Sequence, residues 1–160
     1  MDRGVSQRGR QTRRQFLTGA AAAGGALLAI DRVRAARAQP RVRVTGMELL
    51  PVRATERTVW LFVRLRTDAG LTGLGEASDA FGFAQTTRLD AARMERELGA
   101  FFALIEGRSP LEIGDYRRRG EPLAATGGLL SATAYSAIEQ ALWDLAGKAL
   151  EVPTHTLFGG

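Results

Sequence analysis

The sequence predicts an α+β domain, a three-stranded antiparallel meander followed by a helical bundle, and three observations carry that prediction. Apolar residues alternate with a period of two as far as about residue 78 and recur every three or four residues after it. Glycine and proline fall in the breaks between these runs. Strand signals come first and helix signals afterwards, which is the order of an α+β domain rather than of alternating βα units.

Val42, Val44 and the stretch to Val52 predict a first strand at about 41–52. In the second, Val59, Leu61, Val63 and Leu65 alternate with Trp60, Phe62, Arg64 and Arg66. One face is therefore wholly apolar, and the other turns from aromatic to basic. Asp68-Ala69-Gly70 supplies the turn, with glycine available for positive φ, and a third strand follows at about 71–78.

Beyond Phe81-Gly82-Phe83, the spacing of Ala91, Met94, Leu98, Phe101, Phe102 and Ile105 predicts a helix that Gly107 stops. Ser109-Pro110-Leu111-Glu112 reads as the start of another, with a capping serine, proline in the first turn and an acid placed to close a capping box. That helix is expected to break near Gly120 and Pro122, and Thr126-Gly127-Gly128 to form a flexible joint. Ala134, Ile138, Ala141, Leu142, Leu145 and Ala149 then form one stripe of a terminal helix. Asp144 and Lys148 sit four apart on it, acid first, and Val152-Pro153 ends it near Leu150. With no later element to cover it, this helix is expected to expose apolar surface.

The formal charge of +5 is unevenly distributed. Residues 1–40 hold eight arginines against two aspartates, a net of +6, and residues 41–160 hold fourteen basic against fifteen acidic residues, a net of −1. The basicity belongs to the leader, so the folded part gives no support to a nucleic-acid partner. Cysteine is absent, which suits a fold that needs no oxidative staple.

The leader has an arginine-rich start, an apolar stretch Gly19–Ile30 and a small-residue tail containing Ala36 and Ala38. Arg13, Arg14, Phe16 and Leu17 resemble the twin-arginine export motif. Residues 1–38 are therefore expected to be a signal peptide read by the twin-arginine translocase, delivering a periplasmic or secreted product that starts at Gln39. The apolar stretch is 12 residues long, short of the roughly 20 needed to span a bilayer.

The run Ser136-Ala137-Ile138-Glu139-Gln140-Ala141-Leu142-Trp143-Asp144-Leu145-Ala146-Gly147-Lys148, followed by Val152-Pro153 and Gly159-Gly160, resembles the end of an enolase-superfamily N-terminal capping domain. The branch is that of mandelate racemase and muconate-lactonizing enzyme. A second block, Trp60 to Ala77, resembles that family's second and third strands, so the resemblance covers roughly residues 41–160. It implies that residues 39–160 are a capping domain whose partner is its own C-terminal (β/α) barrel, and that this barrel is absent from the chain. The family's chemistry is abstraction of the proton α to a carboxylate, with Mg²⁺ stabilising the enediolate, in racemases, dehydratases and cycloisomerases. The base and metal ligands lie on the barrel, so no catalytic or metal residue, and no cofactor, is assigned here. The chain by itself is expected to be inactive. In a full-length member Mg²⁺, a small carboxylate substrate and homo-oligomerisation are expected. A stand-alone exported binding module and the remnant of a disrupted gene are the alternatives.

The resemblance also places substrate-selecting loops between the first two strands and after the third. The candidates are therefore Arg53 and Thr55 in the first, and Ala77, Ser78, Asp79, Phe81 and Phe83 in the second, with the two phenylalanines able to form an apolar lid or to anchor the following helix. Other motifs read as structural. Gly70-x-x-Gly73-x-Gly75 lies in a hairpin rather than before a helix, where a phosphate loop must be. Arg117-Arg118-Arg119 fans around a helix and suits a solvated face with one or two local ion pairs. His155 is the single histidine and has no second ligand at a matching spacing. Glu139 and Asp144 point about 140° apart on a helix and cannot share a substrate; Glu139 is expected to face a neighbouring domain.

Overall fold

The computed structural model describes residues 41–56, 58–78 and 88–160. Asp79, Phe81 and Phe83, and the expected leader with Arg13, Arg14, Phe16, Leu17, Ala36 and Ala38, lie outside the described residues. Three strands, β1 (Val44–Arg53), β2 (Val59–Thr67) and β3 (Thr72–Glu76), form an antiparallel sheet in the order β1-β2-β3. The meander is as expected, with β3 two residues shorter at its far end. Leu61, Val63 and Leu65 are buried on the inner face, as the period of two requires. Gly70 turns the chain at φ +76, and the Thr67 hydroxyl accepts from the Leu71 N–H at 3.0 Å.

Helix α1 (Arg88–Phe102) buries Met94, Leu98 and Phe101. Its last residues unwind into turns that end at Gly107, which takes φ +71 and donates its N–H to the Val44 carbonyl at 2.8 Å. Helix α2 (Ile113–Thr126) corrects two expectations. The bonds of a capping box do form at Ser109, whose hydroxyl accepts from Leu111 N–H and whose N–H donates to the Glu112 carboxylate, but they close a single isolated turn and the helix begins four residues later. The helix also runs through Gly120 and Pro122. Gly120 is the seat for the Tyr135 ring, which a Cβ there would meet at 3.0 Å, and Tyr116 one turn before it is wholly buried. Tertiary packing of that face outweighs the lost N–H at Pro122.

The Thr126-Gly127-Gly128 segment is a packed corner, not a flexible joint. Gly127 keeps a helical conformation and bonds back to the Leu123 carbonyl, Gly128 reverses at φ +75, and a Cβ on Gly127 would collide with Ser131. Helix α3 (Gly128–Ala149) ends where proline predicts, and the short α4 (Thr154–Leu157) follows. The expected exposed apolar surface is confined to the ends of this helix, at Leu129 and Leu150, and to Phe158 beyond it, and does not include its stripe. Ala134, Ala137, Ile138, Ala141, Leu142 and Leu145 are buried, because α3 is the central element, packed on β2, β3, α1 and α2. Among the described residues no helix is long and apolar enough to cross a membrane.

Candidate functional site

The meander brings the end of β1, the start of β2 and the end of β3 to one end of the sheet, so Arg53 and Thr55 lie at the same end as Ala77 and Ser78. Arg53 is the last residue of β1, paired with Val59, and is exposed. Thr55, also exposed, lies in a tight loop closed by Ala54 and Thr55 N–H groups, both donating to the Thr58 carbonyl, at 3.0 and 3.2 Å. On the other side, Ala77 is fully buried and extends the ladder through its N–H to the Leu61 carbonyl at 2.7 Å. Ser78 is half-buried, and its hydroxyl accepts from the Leu61 N–H at 3.2 Å. Ala77 and Ser78 thus fasten the departing segment to β2, while Arg53 and Thr55 are the side chains presented to solvent.

Trp60 stands at the same end, on the outer face of β2 opposite Val52, and meets Phe62 edge-on with ring centroids 6.2 Å apart. It was legible as the aromatic part of an aromatic-to-basic strand face but was not singled out. At the basic end Glu48 accepts hydrogen bonds from both Arg64 and Arg66. The Arg64 bond, then the Arg66 bond, holds the Glu48 carboxyl below the usual carboxylate range.

The recognisable run on α3 has a structural purpose. β3 is an edge strand, and its outward backbone groups are met by side chains one helical turn apart. Lys148 Nζ donates to the Thr72 carbonyl at 2.8 Å, Leu74 N–H donates to Asp144 at 2.9 Å, and Glu76 N–H donates to Gln140 at 3.1 Å. Four helical residues advance about 6 Å and two strand residues about 6.6–6.8 Å, so the two ladders stay in step as they run antiparallel. This closes an edge that would otherwise be open to another strand. Asp144 also pairs with Lys148 at 2.7 Å, as the spacing predicts. Asp144→Ala removes both partners of that carboxylate, and urea unfolding is expected to register a loss of about 1–3 kcal/mol. An unchanged midpoint would mean the edge contacts are idle.

Glu139 is engaged within the domain. It accepts from Trp143 Nε1 at 3.4 Å and lies 3.8 Å from Arg117. The arginine run is more engaged than expected: Arg118 and Arg119 both reach Asp115, and Arg119 also donates to the Leu104 carbonyl. His155 is exposed on α4. Among the described residues no three His, Asp or Glu side chains converge on a point where they could hold a metal ion.

The family model for the mandelate racemase / muconate lactonizing enzyme N-terminal domain matches residues 33–159. Over 102 residues, 63% of this chain, the sequence is 33% identical to D-galactonate dehydratase of Xanthomonas campestris pv. campestris and 34% identical to that of Variovorax paradoxus. It spans 25% of the length of each of these relatives. A solved mandelate racemase/muconate lactonizing protein from Paracoccus denitrificans, complexed with magnesium, aligns with 74% of this chain and 31% of its own at a TM-score of 0.60 and 26% identity.

Proposed function

Because the chain belongs to the mandelate racemase/muconate lactonizing enzyme family through its N-terminal domain, we propose that it is the substrate-selecting cap of an acid-sugar dehydratase, working with a C-terminal barrel. The observation that carries this reading is the likeness to D-galactonate dehydratases over 102 residues. Dehydration of an acid sugar removes the proton α to the carboxylate and the hydroxyl β to it. The charge that builds on the enediolate is what a resident Mg²⁺ would stabilise. The described residues do not fit that ion, so the cap's part is recognition and exclusion of water. In this reading Arg53, exposed at the end of β1 and in no ion pair among the described residues, is the loop cation that meets an anionic substrate.

Alone, the chain is expected to leave D-galactonate unchanged in the presence of Mg²⁺. Grafted in place of the matching residues of the Xanthomonas dehydratase, it is expected to support Mg²⁺-dependent dehydration. Arg53→Ala in that graft then lowers kcat/KM about tenfold, chiefly through KM. Turnover by the chain alone, or a folded graft inert toward every acid sugar offered, refutes the reading.

A further inference from the structure

We propose that the free edge of β1 is a docking site for a short extended peptide with acidic ends, which joins the sheet there as a further antiparallel strand. The sheet has two edges, and the side chains of α3 close that of β3. The register fixes what the other edge presents. Leu74 and Glu76 direct their N–H groups away from β2, so Arg64 and Phe62 opposite them bond on their other side, to Glu48 and Leu50 of β1. Met47, Leu49 and Pro51 therefore turn their backbone groups outward, and among the described residues nothing bonds to those groups. Pro51 agrees with this parity, since proline is tolerated in a strand where its missing N–H faces away from the ladder.

The open stretch is short and bounded at both ends. At the near end the Val44 N–H donates to the Arg108 carbonyl at 2.9 Å, and the Val44 carbonyl accepts from the Gly107 N–H at 2.8 Å. At the far end Pro51 offers a carbonyl and no donor. Between them stand two full rungs, at Met47 and Leu49. An antiparallel peptide of about five residues meets these groups with three of its N–H donors and two of its carbonyls. A second copy of β1 suits the edge badly, because a two-fold at Leu49 lays Pro51, which has no donor, on the Met47 carbonyl.

The side chains set the chemistry of the peptide. Its residues opposite Met47, Leu49 and Pro51 fall on the inner face, where Met47 and Leu49 pack against the core, so apolar residues fit there. Arg43 and Arg53 are exposed just beyond the two ends, neither in an ion pair among the described residues. Asp68 bonds to the backbone N–H of Arg43, while the Arg43 guanidinium meets the Gly107 carbonyl. Glu48 is engaged by Arg64 and Arg66, and α1, which packs on β1, balances three acids with three arginines. Acidic residues at the ends of the peptide complete the match.

A dye-labelled heptapeptide of alternating valine and threonine, valine in the three bonded positions and aspartate at both ends, is the probe. Fluorescence anisotropy with the full 160-residue chain is expected to show reversible binding, and NMR to show slowed amide exchange at Met47 and Leu49. N-methylation of the central valine, whose amide donates to the Leu49 carbonyl, should raise Kd about tenfold. N-methylation of a threonine, whose amide points away, should leave it unchanged. Lysine in place of both aspartates should weaken binding at low salt. Leu49→Pro removes a donor and should cost about as much as the valine methylation, with circular dichroism checking that it folds. No binding, binding indifferent to which amide is methylated or to the charge of the ends, or binding without protection of Met47 and Leu49 overturns the proposal. So does protection of these amides without peptide, in the concentrated chain or in the dehydratase graft, where a second copy or the barrel's own polypeptide would then hold the edge. None of these readouts is turnover, so the docking site and the dehydratase reading stand or fall separately.

Discussion

Gly75→Ala is expected to destabilise the domain severely. A Cβ at this position would lie 1.9 Å from the carbonyl oxygen of Ala137 and 2.9 Å from its carbon. Both are helix backbone atoms, so no side chain can turn aside to relieve the overlap. The strand or α3 must move, and α3 is tied to β3 by Gln140, Asp144 and Lys148. Overpacking that forces backbone shifts costs about 1–3 kcal/mol and occasionally more. With backbone on both sides this site belongs at or above the top of that range, a large part of the roughly 5–15 kcal/mol that holds a domain folded. Gly73→Ala, whose Cβ would lie 2.2 Å from the Ala141 carbonyl oxygen, should behave alike. Gly99→Ala is the control, because that helical position opens onto free space and the change should stabilise by about 0.5–1 kcal/mol. Urea midpoints at constant slope measure all three. A Gly75→Ala midpoint near that of the parent would mean that α3 does not lie against β3.

Tyr116→Ala is expected to cost about 3–5 kcal/mol. The ring is completely buried, stacks on Tyr135 with centroids 5.1 Å apart, and donates its hydroxyl to the Tyr135 carbonyl at 2.9 Å. Truncation leaves a cavity between α2 and α3 and removes a buried donor together. Tyr116→Phe separates the two, since it keeps the ring and loses only about 1 kcal/mol with the hydrogen bond. It also carries a pH signature. Burial first, then the charges of Tyr135 and Glu139, raise the Tyr116 phenol well above its usual value. The folded state therefore holds this proton more tightly than the unfolded chain does. The stability it contributes is intact below about pH 10 and is lost as pH rises beyond that, by up to about 1.4 kcal/mol per unit. Tyr116→Phe should flatten that alkaline decline. If the two proteins lose stability in parallel above pH 10, the phenol is not buried as described.

Much of the fold was legible because short-range rules govern it. Alternation along Val59–Thr67 requires an inner apolar face, and the Ala134–Leu145 spacing requires a helix with one buried side. The Asp144–Lys148 pair follows from four-residue spacing alone. What was misread depended on distant partners. Ser109–Glu112 carries a sound capping signal, yet the turn it closes is too short to continue as helix before Ile113. Gly120 and Pro122 carry breaker signals, yet the tyrosine pair across the helix interface outweighs them. Trp143 lies within four residues of Glu139, but nothing near Glu139 in the sequence reveals that Arg117 would also reach it.

The candidate site divides in the same way. The family resemblance pointed to the loops holding Arg53, Thr55, Ala77 and Ser78, and the meander accounts for their meeting at one end. No local rule distinguishes Ala77, buried in the ladder, from Arg53, which faces solvent. Gln140, a lone polar residue four before Asp144, carries no local signal of its bond to β3.

By itself the sequence determined the class of the domain, the meander, the faces of its strands and the span of its last long helix, since all of these follow from periodicities of two and 3.6 within one segment. Tertiary structure alone decided that Gly73 and Gly75 must be glycine, that Gln140, Asp144 and Lys148 close a sheet edge, and that α2 passes through its own breakers. Each of those depends on atoms 15 to 76 residues apart meeting within a few ångströms, and a separation of that kind leaves no periodic trace in the chain.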